Sequence, residues 1–496
     1  MFEFLGHETE TERLNKIINE GAKTAISNKR LIELEIIKWK RSKKRKDMIA
    51  GEKYFEGDHD ILKRKRTVIG EKGELVEVEN LPNNKVIDNQ YAKLVDQKKN
   101  YLLGKPLTFE TEKKEYVEAL KIVFNKRFLR ILKNTGESSL NGGIAWLHPY
   151  YNDNGELQFK RFESYEILPF WKDSDHTELD FAVRLYQVSG YEGETESIIE
   201  KVEVYHSNGI DRYVLKNNSL IDDVENPSSS HLIAIDSEGD EQGYNWSKVP
   251  LIAFKYNNKE IPLLNRVKSL QDGINTMLSD FENNMQEDAR NTILVLQNYD
   301  GTNLGEFRRN LAQYGAVKVK TVDGAAGDLK TLEVTVNAEN YKSILEVFKK
   351  ALIENGRGYD AKNDKMSGNP NQMNILSMYS DIDLDANDME TEYQASLEEL
   401  LWFVNQHLAN TGIGDFDGEE VNFIFNRDIL INESESIDNC KDSVGILSTE
   451  TIISQHPWTK DVELELKRLE EEKQKAMDDY NNAFPQQNGG NLDGQE

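Results

Sequence analysis

The chain has 496 residues and a formal net charge of −27, from 61 basic and 88 acidic side chains. A length of about 150 residues per domain predicts about three structural units. The charge excludes an ordinary DNA-binding protein, which neutralises phosphates with a basic surface. The imbalance is uneven, because residues 1–130 hold 29 basic and 22 acidic side chains, whereas the rest of the chain carries a balance of −34.

The single cysteine, Cys440, limits the possible chemistry. It cannot form an intramolecular disulfide or a thiolate zinc site, so a reducing compartment is expected. No run approaches the roughly 18 apolar residues of a transmembrane helix, and the start of the chain lacks the pattern of a signal peptide. We therefore expect a soluble protein with no membrane partner.

The first half of the chain predicts a helix followed by a β-rich module. Apolar residues at three- and four-residue steps predict helix over 8–50, which ends in a basic run from Trp39 to Lys46. That run is either a nucleic-acid patch, a solvated face or a contact with an acidic neighbouring subunit. Short Tyr-, Val- and Ile-rich runs between turn signals predict antiparallel strands over 140–254, with a polar surface loop at 217–247.

The second half predicts long helices around a small mixed segment. An apolar stripe beginning at Leu263 predicts a helix to Ala289, with Asn, Gln, Asp and Glu on its other face. Residues 290–337 contain strand candidates at 292–297, 316–320 and 329–336 around a short helix at 304–313. Further helices are predicted at 341–353, 375–408 and 434–475, with a Gly- and Pro-punctuated exposed loop at 356–374 and a strand at 420–427.

Motifs that could carry chemistry are weak. The chain has no phosphate-binding P-loop, no H-E-x-x-H and no G-x-S-x-G sequence. Asp381, Asp383, Asp385, Asn387 and Glu392 have the spacing of a calcium loop, but Ala386 stands where the loop needs Gly, and the segment is predicted to be helical. We therefore predict no catalytic residue, no metal site and no cofactor.

An E-x-K sequence formed by Glu463, Glu465 and Lys467 is similar to one found in metal-dependent nucleases. It lies in a highly charged predicted helix without an Asp-bearing strand beside it. A solvated helix face is therefore the favoured interpretation, and a divalent-metal nuclease that uses this region or Asp381, Asp383 and Glu392 is the alternative.

Four blocks of sequence carry a resemblance to a known family. Residues 85–110 read KVIDNQYAKLVDQKKNYLLGKPLTFE, and the blocks at 53–66, 367–405 and 448–473 agree with the same family in order and spacing. The chain thereby resembles the portal proteins of long-tailed double-stranded DNA bacteriophages. The resemblance implies an α+β, mainly α fold of portal type, with long stem helices, a β-containing wing, a small α/β clip and a helical crown.

The resemblance also implies a division of the chain. The implied segments are wing 1–255, stem helix 256–289, clip 290–337, second stem helix 338–355, tunnel loop 356–374, long helix and rest of the wing 375–432, crown 433–480 and disordered tail 481–496. Twelve copies would form a ring at one capsid vertex, where it nucleates shell assembly with capsid and scaffolding proteins and passes double-stranded DNA. The ring would also dock the terminase motor and later the head-to-tail adaptor, first in the host cytoplasm and finally in the virion.

Site residues follow from the matched segments. The tunnel loop would project towards DNA, with Arg357, Lys362, Asn363 and Lys365 as candidate contacts, and a mobile surface loop is the alternative. Within the clip, Arg308 and Arg309 are candidate contacts for the motor and adaptor, or simply solvent-exposed charges. Another capsid-vertex protein, such as an adaptor or minor head protein, remains a further interpretation of the whole chain.

Overall fold

The computed structural model describes residues 28–69, 73–78, 81–192, 195–235, 241–288, 293–298, 300, 303, 305–307, 309, 313, 318–324, 326–332, 338–360, 372–427, 433–459 and 462–483. Helices and strands are mixed in these residues, and helices predominate. The chain forms two compact units, one of residues 1–358 with 382–428 and the other of residues 359–381 with 429–496.

The first two helices carry the basic run that the sequence left open. Helix α1 spans Asn28–Arg41 and α2 spans Lys43–Glu56, with the Ser42 side chain accepting a hydrogen bond from the Arg45 amide at the start of α2. Lys40 forms an ion pair with Glu200 at 2.6 Å, and the Arg45 guanidinium donates to the carbonyl of Tyr165 at 3.0 Å. Several of these cations therefore bind groups of their own chain. The predicted helix before residue 28 lies outside the described residues.

The β-rich module is confirmed and forms two main antiparallel sheets. One sheet has the strand order β10–β9–β8–β7–β6 and the other β13–β4–β5. The strands are β4 Ile144–Tyr151, β5 Leu157–Phe162, β6 Ile167–Trp171, β7 Leu179–Glu192, β8 Thr195–His206, β9 Gly209–Lys216, β10 Ser219–Asp222 and β13 Ile252–Lys255. Alternate side chains of the five-stranded sheet enter two cores: Val183 packs with Ile36 of α1, whereas Ala182 packs with Trp146 of the other sheet.

The prediction of a loop over 217–247 is wrong, because this segment holds three strands. Asn217 and Asn218 both adopt positive φ and make the tight turn into β10. The hairpin of β11 Leu232–Ile235 and β12 Glu241–Tyr244 follows. Its first strand is a run of four apolar residues, Leu232–Ile235, but the surrounding sequence is rich in Ser, Asp and Asn and therefore predicted a loop.

The remaining helices are α3 Gln90–Leu103, α4 Lys114–Val123, α5 Lys126–Gly142, α6 Leu264–Asp288, α7 Ala338–Asn355, α8 Gln372–Asn410, α9 Glu433–Asp442, α10 Thr449–Gln455 and α11 Val462–Ala483. The last six follow the predicted order, whereas α3, α4 and α5 were not predicted. At 39 residues, α8 is roughly 58 Å long. The short strands β1 Thr67–Ile69 and β2 Leu75–Glu77 pair with each other, as do β3 Thr108–Glu110 and β16 Asn422–Ile424.

The segment between α6 and α7 is mixed, as predicted. Strand β14 Ile293–Gln297 pairs antiparallel with β15 Asp328–Leu332, which confirms two of the three strand candidates in part. The third candidate is described only from residue 318, where the carbonyl of Lys318 accepts from the amide of Asp300 at 3.2 Å. Residues 305–307 form a helical turn.

The second compact unit contains α9, α10 and α11, so the segment predicted as helical over 434–475 is divided into three helices, with one of the breaks at His456 and Pro457. Helix α11 ends at Ala483, and the rest of the predicted tail lies outside the described residues. Along the described part of the chain, no helix combines the length and apolar character needed to span a membrane.

Candidate functional site

The candidate site lies where α7 ends and the chain enters the predicted tunnel loop. Helices α6 and α7 pack closely on the way to this point. The rings of Phe281 and Tyr341 lie 5.1 Å apart, and a Cβ atom on Gly273 would come within 2.6 Å of the Phe348 ring. Glycine at 273 therefore lets the two helices approach, since any larger residue would displace Phe348.

Helix α7 ends in a Schellman cap, which fixes the direction of the following chain. The amide of Gly358 donates to the carbonyl of Ile353 at 2.9 Å, and the amide of Arg357 donates to that of Glu354 at 3.1 Å. The left-handed residue of the cap is Arg357, with φ of 51°. Glycine is usual there, because a side chain costs about 1 kcal/mol in this conformation.

The contacts of Arg357 explain why an arginine occupies this position. Its guanidinium lies 3.6 Å from the Asp385 carboxylate and 3.4 Å from that of Asp388, and its carbonyl accepts from the Lys98 ammonium at 3.0 Å. Leu94 packs over the same turn, since a Cβ atom on Gly358 would meet it at 2.5 Å. The start of the loop is thus fixed against both α3 and α8.

Asp385 is the centre of a buried charge cluster that joins four parts of the chain. Its carboxylate binds the Lys98 ammonium of α3 at 2.7 Å, the Arg266 guanidinium of α6 at 2.7 Å and the Tyr256 hydroxyl at 2.6 Å. The side chains of Lys98 and Asp385 are only 3% and 4% exposed. Two cations and a hydroxyl therefore compensate the desolvation of this carboxylate.

The protonation states in this cluster follow from burial and pairing. Burial lowers the pKa of Lys98, and the adjacent Asp385 opposes that effect. Burial alone would raise the pKa of Asp385, but Lys98 and the hydrogen bonds from Tyr256 and Arg266 lower it below its ordinary value. Asp385 is consequently an anion at neutral pH.

The carboxylates with calcium-loop spacing are on one continuous helix, α8, as predicted. Asp383 accepts from the Tyr101 hydroxyl at 2.9 Å and pairs with Arg427, while Asp385 belongs to the buried cluster. Within the described ranges, no group of three or more His, Cys, Asp or Glu side chains could hold a metal ion. Both carboxylates are therefore occupied by groups of the protein itself.

Four polar residues of α6 connect this helix to the segment that leads into α3. We call Gln271, Asn275, Ser279 and Asn283 the polar ladder; all four are fully buried. They accept backbone amide protons from Tyr91 (2.9 Å), Asp88 (3.1 Å), Val86 (2.9 Å) and Asn84 (2.7 Å), respectively. Four residues of a helix rise about 6 Å, and two residues of an extended chain span roughly 6.6 Å. Side chains four residues apart on α6 therefore meet every second backbone amide of residues 84–88.

The predicted site residues are only partly described. Arg357 lies in the cluster above, whereas Lys362, Asn363 and Lys365 lie outside the described residues. Arg309 is exposed and helical, and Arg308 is outside the described residues. Sequence reasoning missed Lys98, Arg266 and the polar ladder. The four-residue spacing of amide and hydroxyl side chains on α6 was the only signal for the ladder.

Comparisons with known proteins agree over most of the chain. The family described as "Phage portal protein, SPP1 Gp6-like" matches residues 34–479. A portal protein of Bacillus phage SPP1 is 29% identical over 488 residues, covering 97% of this chain and 94% of the relative. A portal protein of Clostridium phage phiCD119 is 28% identical over 456 residues, covering 88% and 96%.

One solved structure, titled "Neck of native GTA particle computed with C12 symmetry", superposes with a TM-score of 0.39 and 11% identity, over 73% of this chain and 87% of that one. At that score it adds nothing to the assignment. The family match covers far more than half of the chain, and both relatives are matched over nearly their full lengths. The chain belongs to the SPP1 Gp6-like family of phage portal proteins.

Proposed function

We propose that this portal protein works as a ring of twelve copies at one capsid vertex, where double-stranded DNA passes through a central channel during packaging and ejection. The ring nucleates shell assembly with capsid and scaffolding proteins, docks the terminase motor and later binds the head-to-tail adaptor. It assembles in the host cytoplasm and remains in the virion. The protein itself catalyses no reaction, and the motor supplies the work.

The observation that carries this proposal is the fixed start of the loop after α7. The buried Asp385 carboxylate binds both Lys98 and Arg266, and Arg357 approaches the same carboxylate from the first turn of the loop. A loop that meets moving DNA needs an origin that does not shift under load. A buried ion cluster that joins α3, α6, α7 and α8 supports such a role.

The proposed division of the chain follows the order of its elements. Helices α6 and α7 are the two stem helices, residues 290–337 form the clip, and the sheets of residues 140–255 belong to the wing. Residues 433–480 form the crown. In the clip, Arg308 and Arg309 remain candidate contacts for the motor and adaptor.

The chemistry of the channel follows from the charge of the chain. Each phosphate that a protein neutralises adds salt-dependent affinity for DNA and would slow its passage. A conduit therefore benefits from a net negative protein with few cations near the DNA. We assign the contacts with DNA to Lys362, Asn363 and Lys365. The guanidinium of Arg357 faces two carboxylates, and this residue holds the start of the loop in place.

Charge reversal in the loop tests this assignment. Lys362→Glu combined with Lys365→Glu is expected to reduce packaged or retained DNA several-fold without changing ring assembly, because the loop would then repel the phosphates. Packaged DNA is measured by nuclease protection in infected cells or an in vitro packaging reaction. The control, Lys473→Glu with Lys475→Glu, makes the same charge change on exposed positions of α11. Unchanged packaging in the loop variant would remove its role as a DNA contact.

The alternative of a divalent-metal nuclease is tested separately. The Asp383 and Asp385 carboxylates already bind Arg427, Tyr101 and Lys98, which disfavours metal binding there. We expect no cleavage of linear or circular DNA with magnesium or manganese. Robust cleavage that disappears in Asp383→Ala would favour the enzyme instead.

A further inference from the structure

Helix α5 carries a cationic face that this strongly acidic chain leaves unpaired. Lys126, Arg127, Arg130 and Lys133 have no acidic partner among the described residues, and the first three are exposed. Most other cations of the first compact unit have an acidic partner. Lys99 of α3, for example, pairs with Glu137 of α5. A face that keeps four cations unpaired in a protein of charge −27 is suited to an acidic partner.

A small cavity lies beside this face. Its volume is about 230 Å³, and its lining combines apolar side chains, among them Leu103, Leu129 and Leu132, with the cations Lys105, Arg130 and Lys133. We call it the α5 socket. It is smaller than the 300–1,000 Å³ typical of small-molecule sites, but it is large enough for one apolar side chain. A DNA backbone has no apolar group to fill it, so an acidic peptide segment with one apolar residue suits the socket better than nucleic acid.

The chain itself carries such a segment at the end of β10. Val224 is 92% exposed, the highest value of any large apolar side chain in the described part of the chain. It is flanked by Asp222 and Glu225, whose side chains are 82% and 86% exposed. Among the described residues, the Asp222 carboxylate pairs with Lys29 at 3.0 Å, and that of Glu225 lies 3.9 Å from the Lys201 ammonium. Pairs of such exposed carboxylates are weak and easily exchanged.

The two features belong to different parts of the first compact unit. Helix α5 packs against β4 and β5 of the three-stranded sheet, whereas β10 is the edge strand of the five-stranded sheet and contacts α1. A surface that meets a different surface of an identical copy makes a heterologous contact, and such contacts generate a closed ring when the rotation between successive copies closes.

We propose that the α5 socket of one copy receives Val224 of a second copy, with Arg130 and Lys133 paired to Asp222 and Glu225. This inference rests on the proposed ring and identifies one of its subunit contacts. The Val224 side chain anchors the contact. The complementary charges orient the two copies and disfavour arrangements in which like charges would meet. Partner proteins other than a second copy are distinguished by the test below.

A charge-swap series measures the contact in the full-length protein. The first variant is Arg130→Glu with Lys133→Glu, the second is Asp222→Lys with Glu225→Lys, and the third combines all four changes. Assembly is followed by sedimentation velocity and electron microscopy over a range of concentrations. Each of the first two variants should raise the concentration for half-assembly about tenfold or more, because like charges then face each other, and the combined variant should restore assembly. The control, Lys114→Glu with Lys259→Glu, changes two exposed lysines by the same charge and should assemble normally.

A cross-link provides a second measurement that does not depend on stability. Lys133→Cys and Val224→Cys proteins, each with Cys440→Ser, are mixed, assembled and oxidised, and a disulfide-linked dimer is expected. Rings that form normally in the Arg130→Glu and Lys133→Glu variant, or assembled rings that yield no cross-link, would overturn this contact while leaving the proposed function intact. The same two results are expected if the α5 socket binds a different protein and not a second copy of this chain. Failure of the unmodified protein to form rings would instead contradict the proposed function.

Discussion

Asp385 is the residue that joins the most groups at the start of the proposed tunnel loop. Asp385→Asn keeps the shape of the side chain but leaves the buried Lys98 ammonium and Arg266 without their counter-ion. We expect a loss of about 3–5 kcal/mol in the free energy of unfolding, because removing one partner of a buried pair leaves an uncompensated charge. Chemical denaturation of the purified protein measures this loss.

A neighbouring carboxylate supplies the control. Asp388 also faces Arg357, but its side chain is 65% exposed, so Asp388→Asn should cost no more than about 1 kcal/mol. Equal effects of the two substitutions would show that the buried cluster does not anchor this region.

Glu52 on α2 predicts a pH dependence of stability. Burial raises its pKa to about 8, helped by the nearby Glu163 carboxylate, whereas the ordinary value is 4.5. Between these values the folded chain holds a proton that the unfolded chain has lost, so this group makes stability fall as pH rises. Glu52→Gln keeps an acceptor for the Asn141 amide, which now donates to Glu52 at 3.1 Å, and removes the titration.

The variant should therefore be more stable than the parent at pH 8, by roughly 1–3 kcal/mol, and equally stable near pH 4. Thermal unfolding at both pH values measures the difference. A variant whose advantage is the same at both values would contradict the raised pKa.

Single residues were predictable from the sequence only where a local pattern marks them. Asp385 was recognised by its calcium-loop spacing, but its real partners, Lys98 and Arg266, are 287 and 119 residues away. No local pattern encodes such distant pairs, because tertiary packing alone brings them together. Arg357 was selected as a cation in a loop, and the structure adds its left-handed conformation and its ion pairs.

At the scale of elements, the polar ladder of α6 accounts for how a long helix is held by an extended segment. Asn275→Ala should leave the buried amide of Asp88 without an acceptor and cost about 1–3 kcal/mol of unfolding free energy. Hydrogen exchange of the Asp88 amide should accelerate more than the exchange of amides in the β-sheets.

The exposed neighbour Thr276 is the matched control, since Thr276→Ala removes a polar side chain from the same helix without touching the ladder. Protection at Asp88 that is the same in both variants would argue that the ladder does not hold this segment.

The ladder also explains an error of the sequence analysis. Sequence reasoning placed Asn and Gln side chains on the face opposite the apolar stripe without assigning them a partner, yet the residues of the ladder are fully buried. Hydrophobic periodicity separates apolar from polar faces, but it cannot separate a polar face in water from one that binds backbone amides. Helices α6, α7 and α8 were predictable, because their apolar stripes are long; the strands of 217–247 were not, because each is only four residues long and polar sequence surrounds it.

For the whole molecule, the net charge of −27 excludes an ordinary DNA-binding protein, and the proposed function gives that charge a role. The order of helix, mixed segment, helix, loop and long helix was predictable from the sequence. The number of copies in the assembly and the surfaces that join them are properties of a complex, and no pattern within one chain determines them. The α5 socket and Val224 are our proposal for one such surface.

The central claim is that copies of this chain form a ring around a channel for DNA. Electron microscopy of the purified full-length protein, followed by symmetry analysis of the images, tests it most directly. We expect closed rings of the purified protein with a central channel wide enough for a DNA duplex, and twelve copies in the ring of the capsid. A stable monomer at high concentration, with no ring in immature capsids, would contradict it.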